Sequence, residues 1–333
     1  MIHFPKTVLI LLLSFALSCA TQKQILTDNS WQPVGASDGS VPVARHEASF
    51  VEAGDEFVLL GGRSIRPVSI YNPKKGIWRE GTPPPIELHH FQAFEYDDKV
   101  YIAGALTGGW PGETPVPNIY IYDPAQDEWS VGPEIPEGRR RGAAGALVHK
   151  DKIYLVCGIV DGHRGDHKDW FDVYDLKTDT WSVLPAAPRP RDHFQATVVD
   201  GKLYAAGGRL SKVGDDAFST TIGEVDVYDF KTGKWSTLAT EIPTQRAGSY
   251  NFAWGDEVVV LGGESGTQVP AHAEMEALDV RTNTWRTLPP MIEGRHGTGV
   301  LIYNGAVYVA SGSGNRGGGP ELTTMEKFDL TPR

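Results

Sequence analysis

The sequence predicts an all-β propeller built from six four-stranded blades. A tryptophan-bearing phrase recurs through the chain: Gly76-Ile77-Trp78, Asp127-Glu128-Trp129, Asp179-Thr180-Trp181, Gly233-Lys234-Trp235 and Asn283-Thr284-Trp285. Upstream of each lies an apolar run ending in small residues, such as Val58-Leu59-Leu60-Gly61-Gly62 or Leu203-Tyr204-Ala205-Ala206-Gly207-Gly208, preceded by a tight turn such as Asp200-Gly201 or Asn304-Gly305. The 38 glycines and 23 prolines are spread evenly, as expected of many short strands joined by turns. A fixed period of this kind signals repetition of one supersecondary unit.

Each unit supplies four antiparallel strands: an inner strand a, strands b and c, and the outer tryptophan strand d. A lone sheet of this size cannot bury both faces, and radial stacking solves that problem. The repeats align at Arg45, Leu88, Arg141, Arg191, Arg246 and Arg295, with intervals of 43, 53, 50, 55 and 49 residues. On these residues the chain resembles the kelch repeat, of roughly 50 residues, and the fold expected is a six-bladed kelch β-propeller over residues 27–333. The sixth repeat runs out after Met325-Glu326-Lys327-Phe328-Asp329-Leu330, before any strand d. Asn29-Ser30-Trp31-Gln32-Pro33-Val34 reads like the other tryptophan strands, so the N-terminal segment is expected to complete the last blade.

The first residues read as an address. Lys6 precedes the apolar run Val8–Leu13, which is of signal-peptide length and too short to span a bilayer. Residues 1–18 are expected to be a signal peptide and Cys19 a lipidation site, since Ala16-Leu17-Ser18-Cys19 resembles a bacterial lipoprotein site; residues 19–26 would form the tether. The expected location is outside the cytoplasm, either lipid-anchored to an outer membrane and facing the periplasm or cell surface, or soluble in the periplasm. The only other cysteine, Cys157, lies in an apolar strand, which excludes a disulfide framework. The net charge of −11 gives no overall footprint for nucleic acid, and the only membrane contact expected is the lipid.

Propeller topology places the a–b and c–d turns on one face and the d–a and b–c connections on the other. The first set is made of ordinary hairpin turns. The second holds eight of the nine histidines that follow His3: His46, His89, His90, His163, His167, His193, His272 and His296, with His149 alone on the opposite face. Arginine opens strand a in five blades (Arg45, Arg141, Arg191, Arg246 and Arg295), and strand alternation would set the third residue of each inner strand on the same side. Those third residues include Glu47, His90 and His193, which gives an expected basic funnel with titratable groups inside. His90-Phe91-Gln92-Ala93 and His193-Phe194-Gln195-Ala196 match in blades two and four. The long b–c loops add Trp110, His163 and Arg316, and both Trp110 and Trp170 lie outside the repeated tryptophan slot.

Five guanidiniums around one mouth suit an anion, and imidazole suits proton transfer near neutrality. The expected function is therefore an enzyme for acidic, uronate-type oligosaccharides, acting as a lyase, dehydratase or epimerase. His90, His193 and Glu47 would move protons, while Arg45, Arg141, Arg191, Arg246, Arg295, Trp110, His163 and Arg316 would bind substrate. The chain is similar at fold level to exported kelch propellers such as sialic acid mutarotases, a likeness that implies carbohydrate chemistry without fixing it. The alternative is a non-catalytic glycan- or protein-binding propeller. No cofactor is expected and no resident metal: neither Asp161, His163 and His167 nor Glu47, His90 and His193 match an established ligand spacing, and the arginines would repel a cation. Gly314–Gly319 lacks the lysine and helix of a phosphate loop.

Overall fold

A computed structural model describes Met1 and residues 30–330. Cys19, the leader and the tether lie outside the described residues. Blade one pairs Ala48–Ala53, Glu56–Gly61, Val68–Asn72 and Ile77–Gly81 in chain order, and blades two to five repeat this antiparallel meander. Blade six is closed by the other end of the chain. Gln32–Pro33 pairs with Met325–Asp329, Gln32 facing Lys327, which supplies the expected outer strand. Inner strands contact their neighbours around the whole ring, including blade six against blade one.

The outer tryptophans hold blades together in two ways. Four pack at a tilt across the c–d ladder on a tyrosine of their own blade: Trp78 on Tyr71, Trp129 on Tyr122, Trp181 on Tyr174 and Trp235 on Tyr228, with ring centroids 5.0–5.2 Å apart. The indole N–H then reaches the preceding blade. Trp129 donates to Thr82 O, Trp181 to Glu134 O, Trp235 to Pro185 O and Trp31 to Pro289 O, at 2.8–3.0 Å. Trp31 thus does for the ring-closing blade what Trp129, Trp181 and Trp235 do elsewhere, whereas the buried Trp285 indole N–H has no partner among the described residues.

The arginines do not form the expected funnel. All five are fully buried, and each guanidinium folds back onto its own blade. Arg141 donates to the carbonyls of Cys157, Arg139 and Leu155 and pairs with Asp172 at 2.6 Å. Arg191 pairs with Asp226 at 2.5 Å, Arg246 with Glu276 at 2.6 Å and Arg295 with Glu326 at 2.5 Å; Arg45 reaches Gly61 O, Pro67 O and Ser69 instead. Burial pulls the guanidiniums of Arg45 and Arg141 down to about 10, still charged at neutral pH. The arginines cross-brace strands b and c of their blades.

The misplacement has a geometric origin. The regular inner ladders begin at Ala48, Ala93, Gly145, Ala196, Tyr250 and Val300, several residues after each arginine slot. The third residue of every slot is left-handed: Glu47, His90, Ala143, His193, Gly248 and Gly297 have φ between 48° and 65°. Strand alternation therefore does not apply between the first and third residues. The left-handed turn also points the backbone along the ring: His90 N–H donates to Glu47 O, Ala143 to His90 O, His193 to Ala143 O and Gly248 to His193 O, at 2.7–3.0 Å. Gly297 donates to Gly248 O and Ala48 to Gly297 O, which closes a hydrogen-bonded girdle at the channel mouth.

Candidate functional site

The girdle presents its side chains to the channel axis. Two of the six slots hold glycine, which is free at this φ, whereas a side chain there costs roughly 1–2 kcal/mol. Glu47, His90 and His193 are thus kept at positions where glycine would be easier, and their side chains meet. His90 Nε2 lies 3.3 Å from Glu47 Oε2, and the His90 and His193 ring centroids are 4.8 Å apart. Behind them the channel narrows to a cavity of about 40 Å³ bounded by the girdle and Phe91, Phe194 and Gln195. In front it opens into a funnel of about 600 Å³ whose walls include Arg63, Trp110, His163, Arg209, Phe218 and Glu264.

His163 joins the pair from the b–c loop of blade three. Its short 3-10 turn, Gly162–Arg164, locks against the loop of blade two: His163 N–H donates to Pro111 O, and a Cβ on Gly162 (φ 50°) would lie 2.6 Å from Glu113 N. The centroids of His90, His163 and His193 are 4.8–5.1 Å apart in all three pairs, and one ring nitrogen of each lies within 4.8 Å of the other two. All three are buried.

Each imidazole is oriented by a second residue. Asp192 Oδ1 accepts from His193 Nδ1 at 2.5 Å, and Ser211 holds that carboxylate. Glu113 accepts from His163 Nδ1 at 3.0–3.1 Å and is held by Arg63 at 2.7 Å. His89 donates from Nε2 to Gly108 O at 3.0 Å, which leaves its Nδ1 to accept from His90 Nδ1 at 2.6 Å. Burial, with His89, His193 and His163 alongside, holds His90 well below its ordinary pKa, and burial with the Arg209 charge lowers His193. Burial pushes the Glu113 carboxyl up, but bonds from His163 and Arg63 outweigh it and hold the group ionised.

The remaining predicted residues divide clearly. Trp110 stands at the funnel rim, 62% exposed. Arg316 lies over the outside of Phe218 and donates to Gly266 O, so it braces a wall. Trp170 covers its own loop, with Arg139 4.3 Å above its ring. His46 binds Glu321 at 2.7 Å, and His296 holds the loop carbonyls of Asn315 and Gly317. Sequence reasoning missed Arg63, Glu113, Asp192, Arg209, Lys212, Phe218 and Glu264. A periodic signal for three of them exists: Arg63, Arg209 and Glu264 each follow the small pair ending strand b, a slot filled by Leu106, Ile159 and Ser313 in the other blades.

The funnel's cations all have built partners: Arg63 with Glu113, Arg209 with Glu264 at 2.5 Å, and Lys212 with Asp216. None is a free guanidinium waiting for a carboxylate. The Attractin/LZTR1 beta-propeller profile matches residues 19–270, and the kelch motif matches residues 252–292. The chain belongs to the kelch β-propeller family. The kelch-like protein terF of Aspergillus terreus is 31% identical over 295 residues, covering 81% of this chain and 61% of that protein. Human kelch-like protein 23 is 24% identical over 277 residues, covering 81% and 46%. The chain therefore spans about half the length of the curated relatives it matches. The solved structure of YjhT superposes with a TM-score of 0.69 at 15% identity, covering 85% of this chain and 95% of that one, a likeness of fold alone.

Proposed function

We propose that this kelch propeller binds a small polyhydroxylated molecule, of sugar size, in the funnel. The observation behind the reading is the funnel itself: about 600 Å³, within the range of small-molecule sites, walled by Trp110 and Phe218 and by ion pairs that offer both donors and acceptors. The funnel's cations are already neutralised by carboxylates, so a neutral ligand suits it better than the uronate expected from the arginines. Titration of neutral mono- and disaccharides against the matching uronates, read by Trp110 fluorescence and calorimetry, tests this. Saturable binding of neutral sugars supports it; binding of uronates alone, or of neither class, refutes it.

A second reading, proton transfer on that ligand, is favoured by one contact, His90 Nε2 to Glu47 Oε2 at 3.3 Å beside His193. Exchange of ligand carbon-bound hydrogen in D₂O, followed by NMR, distinguishes it from binding alone. The apolar leader and Cys19 support the further proposal that the protein works outside the cytoplasm on a lipid anchor. Fatty-acid labelling that disappears in Cys19→Ser is the expected result, and labelling that persists, or none in the unsubstituted chain, contradicts the anchor.

A further inference from the structure

We infer that His90, His163 and His193 form a binding site for one divalent first-row transition ion of the zinc class, with Glu47 beside its open side. The ring protons of the three imidazoles all lie on the side away from their common centre. In His193 and His163 the Nδ1 proton is committed to a carboxylate, Asp192 and Glu113. In His90 the Gly108 carbonyl fixes the tautomer of His89, which in turn places the His90 proton on Nδ1. All three Nε2 atoms then carry lone pairs. That of His193 is buried with no hydrogen-bond partner among the described residues, and that of His90 faces the Glu47 carboxylate at 3.3 Å. Lone pairs and a carboxylate facing one another repel unless a cation lies between them. An Nδ1–H held by a carboxylate with Nε2 turned to a common centre is the arrangement that orients metal-bound histidines.

Charge and size agree with that assignment. Around the triad, the carboxylates of Glu47, Glu113, Asp192 and Glu264 contribute −4 and the guanidiniums of Arg63 and Arg209 contribute +2, leaving −2 for a divalent ion to balance. Arg209 Nη2 makes a long 3.5 Å hydrogen bond to His163 Nε2, which a bound ion would replace, while its Nη1 and Nε are held by Glu264 and Ser211. A tetrahedral ion about 2.1 Å from each nitrogen sets the nitrogens roughly 3.4 Å apart. From a spread within 4.8 Å, shifts of about 1 Å in the His163 loop and the two rings achieve this. Three imidazoles suit Zn²⁺, Co²⁺ and Cu²⁺ over Mg²⁺ or Ca²⁺. Each set of candidate ligands read from the sequence holds only two histidines; the fold brings His163 to His90 and His193 by a loop from another blade, which makes three. The site stands whether or not the funnel accepts sugars.

The test uses the full chain, stripped with chelator and titrated with Co²⁺. One equivalent should give visible d–d bands of a four- or five-coordinate site, bleached by one equivalent of Zn²⁺. Asp192→Asn and Glu113→Gln should each weaken Co²⁺ binding about 10–100-fold, and His90→Ala/His163→Ala/His193→Ala should abolish the bands, while His149→Ala changes nothing. Absence of stoichiometric bands, or full affinity in the triple variant, overturns the proposal. Should the triple variant fail to fold, pulsed EPR of the unsubstituted protein with one equivalent of Cu²⁺ decides: three coupled imidazoles support the site and fewer overturn it.

Discussion

Replacing Arg246 by methionine separates a bracing arginine from a ligand-binding one. Arg246 donates to Thr244 O at 2.6 Å and Val260 O at 2.9 Å and pairs with Glu276 at 2.6 Å, all within the blade. Methionine roughly fills the volume but leaves those carbonyls short of a donor and Glu276 buried without its cation. Breaking a buried pair from one side costs about 3–5 kcal/mol. Burial of Arg246 also lowers its pKa, the sign of a charge whose desolvation its partners must offset. For a domain of this size that loss corresponds to roughly 6–12 °C in Tm, at about 2 °C or slightly more per kcal/mol. Adding Glu276→Gln should restore part of it, because the orphaned charge is then removed. Chemical denaturation and calorimetry of both variants give the energies, and Co²⁺ and sugar titrations give the site. The expected result is a large stability loss with unchanged binding per folded molecule. A loss below about 1 kcal/mol with binding abolished would show that the guanidinium faces the ligand and does not brace the blade.

The other expectations are simpler. Trp31→Ala removes a buried indole packed at a tilt on Phe328 and bonded to Pro289, and should cost about 3–5 kcal/mol in denaturant unfolding although it adjoins a strand of only two residues. Trp110→Ala should leave stability within about 0.5 kcal/mol while weakening sugar binding by calorimetry. Burial pushes the Cys157 thiol up to about 12, so in a Cys19→Ser background native protein should show no reactive thiol at pH 8, and one after guanidinium unfolding. At Glu264 burial raises the carboxyl pKa, but His296 and Arg209 outweigh it and hold the folded value below the unfolded one. The stability it contributes is therefore present above about pH 4.3 and lost as pH falls through the folded value. Glu264→Gln should make the acid limb of unfolding free energy shallower.

The fold was legible because its determinants repeat. Six copies of a small-residue strand end and a tryptophan strand leave one arrangement, and Trp31 marks the closing strand in the sequence itself. The girdle positions of Glu47, His90 and His193 were legible for the same reason. The arginines were misjudged because alternation was extended into a segment that leaves β geometry, the left-handed residue after each Arg–X pair. Glu113 and His163 meet through two irregular loops locked at Gly162, and no period records that contact. Asp192 was visible only as a departure, an acid where three other blades place histidine.

Anomalous diffraction at the zinc edge, from crystals of the full chain grown with one equivalent of Zn²⁺, tests the arrangement of the channel mouth most directly. One dominant peak about 2.0–2.1 Å from Nε2 of His90, His163 and His193 is the result the geometry demands. A dominant peak at His149 or His272, or none within the funnel, would contradict it.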